Sequence, residues 1–217
     1  MDIQGVFKTA IEIVKTPKDF IKKWSAKPTP AMDLIKNYVL ILAFIPAIAM
    51  FIGYAFVGLN FGFFSYKFPI EAALIISIVQ LVTTVAGVYV GGYVINFLAS
   101  NFKSKQNLDK SVNLVALGAT PSLLAGVFYV YPSLSIFAAL AGLYGLYILY
   151  QGLPVFMETP KKQQMTYFIV ALVAMIVVSF VIGIVVGAIT APFYAQAFTG
   201  MGMGQLGMNS GGFNYPY

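Results

Sequence analysis

Lysine, carboxylate, amide and hydroxyl side chains are the only groups in this chain that could do polar chemistry. It has thirteen lysines and seven aspartates or glutamates, and no histidine, cysteine or arginine. Imidazole bases, thiol nucleophiles and guanidinium clamps are therefore absent. No glycine-rich phosphate loop and no paired intramembrane carboxylates occur, and no lysine lies near the serines of the apolar runs. The expectation is a protein that is not an enzyme, with no catalytic, cofactor or metal site. Two constellations remain. Lys18, Lys22 and Lys23 accompany Phe20 and Trp24 in one short segment, a pattern suited to an anionic surface. Ser77, Gln80, Thr84, Gly87 and Gly91 recur at steps of three and four, which puts them on one face of a helix. Such a small and polar face normally serves helix packing through close approach and hydrogen bonds; the lesser alternative is a path for an ion or small solute. Gly183 and Gly187 share the small-xxx-small spacing, as do Ala49 and Gly53.

The elements that must position these residues are set by hydrophobicity. The 217-residue chain is 59% hydrophobic and 9% charged, with a mean hydropathy of +0.84. Soluble domains carry about 25% charged residues, so the composition argues against a soluble enzyme, a disulfide-stapled secreted domain, a zinc protein and a disordered tail. A spanning helix needs about 20 apolar residues. Charge-free runs supply five: Asn37 to Leu59, Ala72 to Ser100, Val112 to Tyr131, Ser133 to Phe156, and Gln164 to about Ala191. They are continuous rather than alternating, which argues against a β-barrel. The expected fold is all-α, a five-transmembrane-helix bundle with N-terminal amphipathic interfacial helices. The expected organisation is a cytoplasmic segment and linker over 1–36, the five-span domain over 37–191, and a flexible uncharged tail over 192–217.

Twelve of the thirteen lysines precede span one or sit in the loops after spans two and four; Lys67 alone falls on the other side. The positive-inside rule then predicts a cytoplasmic N terminus and an external C terminus in a multi-pass cell-membrane protein. Span one serves as the insertion signal, with no cleavable signal peptide expected. Ile3, Val6, Phe7, Ala10, Ile11 and Val14 form a helical apolar stripe. Thr16-Pro17-Lys18-Asp19 reads as the start of a second helix. Both helices could lie in the inner leaflet, pack on the ends of the bundle, or receive a cytosolic partner.

Pro46, Pro121 and Pro154 fall inside spans and predict kinks. Gln80, Asn96, Asn113 and Gln151 are expected to bridge helices, and Tyr144, Tyr147 and Tyr150 form a broad aromatic patch. Lys67 and Glu71, four apart, read as an interfacial pair. Met201, Met203 and Met208 offer thioethers that suit a cuprous ion, although a surface-adhering tail is the plainer reading.

Several motifs resemble the Yip family, named for proteins that interact with Ypt/Rab GTPases, in its short prokaryotic form. Lys15-Thr16-Pro17-Lys18-Asp19-Phe20 is similar to the family's Pro-x-x-Phe stretch before span one. Ala119-Thr120-Pro121 resembles its third-span proline region, with Leu117-Gly118 standing where an aromatic is common. Leu143-Tyr144-Gly145-Leu146-Tyr147, then Tyr150-Gln151-Gly152-Leu153-Pro154 and Thr159-Pro160-Lys161, resemble its fourth span and following loop. The likeness covers roughly residues 10 to 190. It implies a five-span bundle with a cytoplasmic N terminus. Eukaryotic members act in vesicle traffic, bind Rab GTPases and help shape membranes; the short form implies a bacterial or archaeal cell membrane, and no catalytic residues carry over. The expected function is organisation of membrane or scaffolding of partner proteins through the cytoplasmic face. The alternative is a small-solute transporter or channel using the span-two stripe. The expected partners are the lipid bilayer and a cytosolic or membrane protein, without nucleic acid; an oligomer is left open.

Overall fold

The structure is a computed structural model that describes residues 2–61 and 64–205, with side chains described over 2–59 and 66–196. Helix α1 (Ile3–Lys15) starts at Asp2, whose Oδ1 accepts the Gly5 N–H at 3.1 Å. Helix α2 (Pro17–Ser25) opens on proline, whose fixed φ suits a first helical position and whose missing N–H costs nothing there. Five longer helices follow: α3 (Ala31–Val57), α4 (Ile70–Phe102), α5 (Leu108–Val130), α6 (Pro132–Phe156) and α7 (Lys161–Gln205). Among the described residues, these five are long and apolar enough to cross a membrane. The fold is all-α apart from a small hairpin between α3 and α4. There β1 (Leu59–Phe61) pairs antiparallel with β2 (Phe64–Tyr66), Leu59 opposite Tyr66. Gly58 enters it at φ +85°, where a Cβ would lie 2.7 Å from the Tyr66 carbonyl, so only glycine fits.

The first span begins six residues before the expected Asn37, because Asp33 and Lys36 are accommodated in its opening turns. It contains π-type turns at Ile35–Val39 and Gly53–Val57 on either side of Pro46. Helix α7 runs on from Ala191, and its described backbone ends at Gln205; Met208 and the rest of the tail lie outside the described residues, as do the Met201 and Met203 side chains.

Helix α5 is the centre of the bundle. Of its most apolar stretch 67% is buried, against 6% for α7, so α5 is surrounded by protein while α7 is left mainly to lipid. Val112, Leu114, Ala116 and Leu117 are fully buried. Backbone meets backbone where α5 crosses α6, since a Cβ on Gly145 would collide with the Gly118 carbonyl oxygen. Gly92 of α4 lies just as close to Val112, with 2.7 Å left between an added Cβ and the Val112 Cα. Gly126, at the end of α5, makes room for Pro46, whose Cβ would stand 2.6 Å away. The kink-forming proline of α3 is thus seated on a glycine. In lipid, where water offers no driving force between helices, such close contacts are the main source of association.

Helix α7 packs on the bundle along its first turns, as far as Met175, and again near Tyr194. Near its start Tyr167 is buried, stacks on Phe102 and donates to the Ile95 carbonyl at 2.5 Å. Near the far end Tyr194 stands edge-on to Phe68 at 5.4 Å and donates to the Tyr54 hydroxyl at 3.2 Å.

Candidate functional site

Two places gather polar side chains. The first is the end of the bundle that bears the N-terminal helices. Helix α1 buries Val6, Ala10 and Ile13, and α2 buries Phe20 and Ile21 among Ile95, Ala99, Leu114, Leu117 and Ile148. Phe20, read from sequence as part of a membrane or partner surface, is therefore turned into the protein, stacked on a half-buried Trp24 at 5.3 Å. The amphipathic pattern does specify an apolar neighbour, and that neighbour is the bundle. Lys18, Lys22 and Lys23 remain exposed on the opposite side. Lys23 lies 3.9 Å from Glu12 with most of its side chain in the open, a weak contact. Helix α1 also carries an outward apolar row, Ile3, Phe7 and Ile11, one turn apart and all exposed.

Asn113 of α5, fully buried, fastens this segment. Its Oδ1 accepts the Trp24 indole N–H at 2.7 Å and the Thr29 N–H at 3.3 Å; its Nδ2 donates to the Thr29 and Asp109 carbonyls at 2.6 and 2.7 Å. Asp109 accepts the Ala31 N–H at 2.7 Å and so caps α3 from α5. Tyr144 of α6 donates to the Val14 carbonyl at 2.9 Å. Of the amides expected to bridge helices Asn113 does so, holding the N-terminal linker as well as its own helix, whereas Gln80 bonds Thr84 on its own helix and Asn96 Oδ1 is buried without a partner.

The loops after α4 and α6 lock to each other at the same end. Lys105 N–H donates to the Met157 carbonyl and the Ser104 hydroxyl to Thr159 Oγ1, both at 2.9 Å. Glu158 meets Lys105 at 2.5 Å and Lys110 at 3.4 Å. Lys103 and Glu158 both adopt left-handed backbone, φ 53° and 52°, to make these turns. The Lys105 ammonium, hydrogen-bonded to Glu158, holds that carboxyl below its usual range.

The second place lies within the spans. Between its two anchored stretches α7 stands away from α4 and α5 and leaves a cavity of about 430 Å³. Gln80, Thr84 and Gly87 of the sequence-read stripe line it, together with Gly183 of α7. The rest of the stripe goes elsewhere. Ser77 is buried toward α3 and bonds its own Ala73 carbonyl. Gly91 packs against Val115 and Met175. Gly87, Gly183 and Gly187 have nothing within 4 Å of an added Cβ, so they are not close-packing positions. Gly53, picked out by its spacing from Ala49, is a close-packing position, where an added Cβ would collide with the Tyr129 carbonyl oxygen; the tight glycines Gly92, Gly126, Gly145 and Gly152 are ones that spacing did not single out. Sequence reading also missed Thr83, Ser122, Tyr129 and Ser179, which share the cavity wall. They come from three helices, and no local pattern joins them. Lys67 and Glu71 form no ion pair with each other.

A match to the Yip1 domain extends over residues 11–183, most of the chain. The chain belongs to the Yip1-domain family. The matched Yip1 region takes in α2, all the spans down to Gly183, Asn113 and its partners, and nearly the whole cavity wall. Inner membrane protein YohC, in two strains of Escherichia coli, is 30% identical to this Yip1-domain chain over 135 residues, 60% of the chain and 69% of that protein. No solved structure is a significant match. With five spanning helices and an inner-membrane relative, this Yip1-domain chain is an integral membrane protein.

Proposed function

We propose that this Yip1-domain protein is a non-enzymatic organiser of membrane or of partner proteins, working from a cytoplasmic N terminus in a cell membrane. The reading rests above all on the exposed side of the N-terminal segment. Lys18, Lys22 and Lys23 face away from the bundle, and Ile3, Phe7 and Ile11 form an apolar row beside Lys8 and Lys15. An in-plane helix with such a row and basic neighbours sits at the boundary of acyl chains and anionic headgroups, and each surface lysine adds about 1 kcal/mol there. Residues 1–36 act as a surface segment clamped to the 37–191 domain, followed by an external 192–217 tail. Lysine asymmetry supports the orientation.

The test is vesicle tethering. Neutral-lipid proteoliposomes bearing the full chain are mixed with protein-free vesicles containing phosphatidylglycerol. Replacing Lys18, Lys22 and Lys23 by glutamine should lower tethering at least tenfold. Unchanged tethering, together with unchanged crosslinked partners in native membranes, would overturn the reading.

The transport alternative has one observation in its favour, the cavity that reaches Gln80 and Thr84. Its test is solute flux in the same proteoliposomes, where flux no faster than in protein-free vesicles ends it.

A further inference from the structure

The cavity between α4, α5 and α7 is lined by Gln80, Thr83, Thr84, Ser122, Tyr129 and Ser179 among apolar side chains, and no charged residue faces it among the described residues. Its polar groups are only partly satisfied. Gln80 Nε2 donates to Thr84 Oγ1 at 3.2 Å, which leaves the Gln80 carbonyl oxygen without a partner. Ser122 bonds its own Ala119 carbonyl. The hydroxyls of Thr83, Ser179 and Tyr129 have no hydrogen-bond partner in the protein. Helical serine and threonine in apolar surroundings ordinarily bond back to a carbonyl three or four residues earlier, as Ser77, Thr120 and Thr190 do here. An unpartnered hydroxyl at membrane depth is unfavourable unless something polar meets it. Gly87 and Gly183 keep the space open from opposite walls, with nothing within 4 Å of where a side chain would start.

We propose that this cavity is a binding site for a small uncharged solute carrying amide or hydroxyl groups. An amide donor meets the Gln80 carbonyl oxygen, and an acceptor meets the Thr83 or Ser179 hydroxyl. The apolar remainder of the wall suits a short carbon skeleton. At about 30 Å³ per water molecule, the volume takes such a solute with several waters around it. A charged solute would enter without any counter-charge, which is prohibitive in a low-dielectric wall. The proposal is independent of the lysine-bearing surface, and it concerns binding, so a null flux result leaves it standing.

The chain has no cysteine, so a single introduced thiol reports its own surroundings. Ser179→Cys places one on the side of α7 that lines the cavity, an exposed position; Val181→Cys places one, also exposed, on the other, lipid-facing side of α7. In the full chain in nanodiscs, uncharged N-ethylmaleimide should label the Ser179→Cys thiol at least tenfold faster than the Val181→Cys thiol, because thiolate forms only where water reaches. Acetamide should slow that labelling at least threefold in a saturable manner, and acetate should not. Adding Gly183→Leu should abolish the labelling while leaving the melting temperature near its starting value. Absence of labelling at Ser179→Cys, labelling that acetamide does not slow, or equal protection by acetate would each overturn the proposal. The second of these results would mean a cavity holding water alone.

Discussion

The indole N–H of Trp24 points at the side-chain oxygen of Asn113, 89 residues further along the chain, at 2.7 Å. The same oxygen takes the Thr29 N–H, and the amide nitrogen holds two carbonyls. One buried side chain thus closes both the end of α2 and the linker to the first span.

Removing it should release that segment. Asn113→Ala strands the Trp24 indole and the Thr29 amide, and each stranded buried group costs about 1–3 kcal/mol. The expected destabilisation is about 2–4 kcal/mol, with the loss concentrated locally. Trypsin cleavage after Lys22 or Lys23 in detergent should accelerate severalfold relative to cleavage in the later loops. Equal acceleration at all sites would mean that Asn113 supports the whole bundle instead.

The glycines separate into two classes that a single methyl group distinguishes. Gly145→Ala forces a Cβ onto the Gly118 carbonyl and should cost about 1–3 kcal/mol by overpacking. Gly183→Ala and Gly187→Ala meet open space and should leave the melting temperature nearly unchanged. Thermal unfolding in one detergent checks all three, and a matching drop in each would refute the assignment.

Glu158 links the two lysine-bearing loops, and its carboxyl is held below the ordinary value of 4.5, first by the Lys105 hydrogen bond and then by the nearby charges. A depressed folded pKa stabilises above the unfolded value and is lost as pH falls through the folded one. The link should therefore be intact at neutral pH and open in acid below 4.5. Hydrogen exchange of the Lys105 amide, which donates to Met157, should quicken in acid after correction for intrinsic rates. Glu158→Gln should quicken it at pH 7, and high salt should act in the same direction because the pair is exposed.

The outward row of α1 separates membrane contact from folding. Phe7→Ser removes an apolar ring that is 39% exposed and leaves the buried Val6, Ala10 and Ile13 in place. Bundle stability should change by less than about 0.5 kcal/mol. Quenching of a probe on α1 by brominated lipid should fall at least twofold. Unchanged quenching would place this row in water.

The spans were legible because lipid imposes a requirement on each segment separately, about 20 apolar residues whatever the neighbours are. Their ends were less legible, since Asp33 and Lys36 stay helical where water or headgroups reach them. The amphipathic character of α2 was visible, but periodicity says only that Phe20 needs an apolar medium. Whether that medium is lipid or Leu114 and Ile148 depends on contacts more than 90 residues away. The glycine spacing picked out the packed Gly53 and Gly91 but also the open Gly87, Gly183 and Gly187, for the same reason. Gly87 and Gly145 look alike in sequence, and the difference between them is what stands across from each. The cavity depends on α7 standing off between Met175 and Tyr194, a relation among three helices that no single segment encodes.

The clamp around Asn113 also orders events in time. The first thirty residues leave the ribosome before their partners exist, since Trp24 needs a residue 89 positions later and the Val14 carbonyl waits for a tyrosine 130 positions later. At about 5–20 residues per second, that interval lasts on the order of ten seconds. During it Phe20 and Trp24 have no protein to cover them, and the membrane surface is the apolar medium at hand. A segment that precedes the first span is thus among the last parts to be fixed by protein contacts, which form only once α5 and α6 have been made.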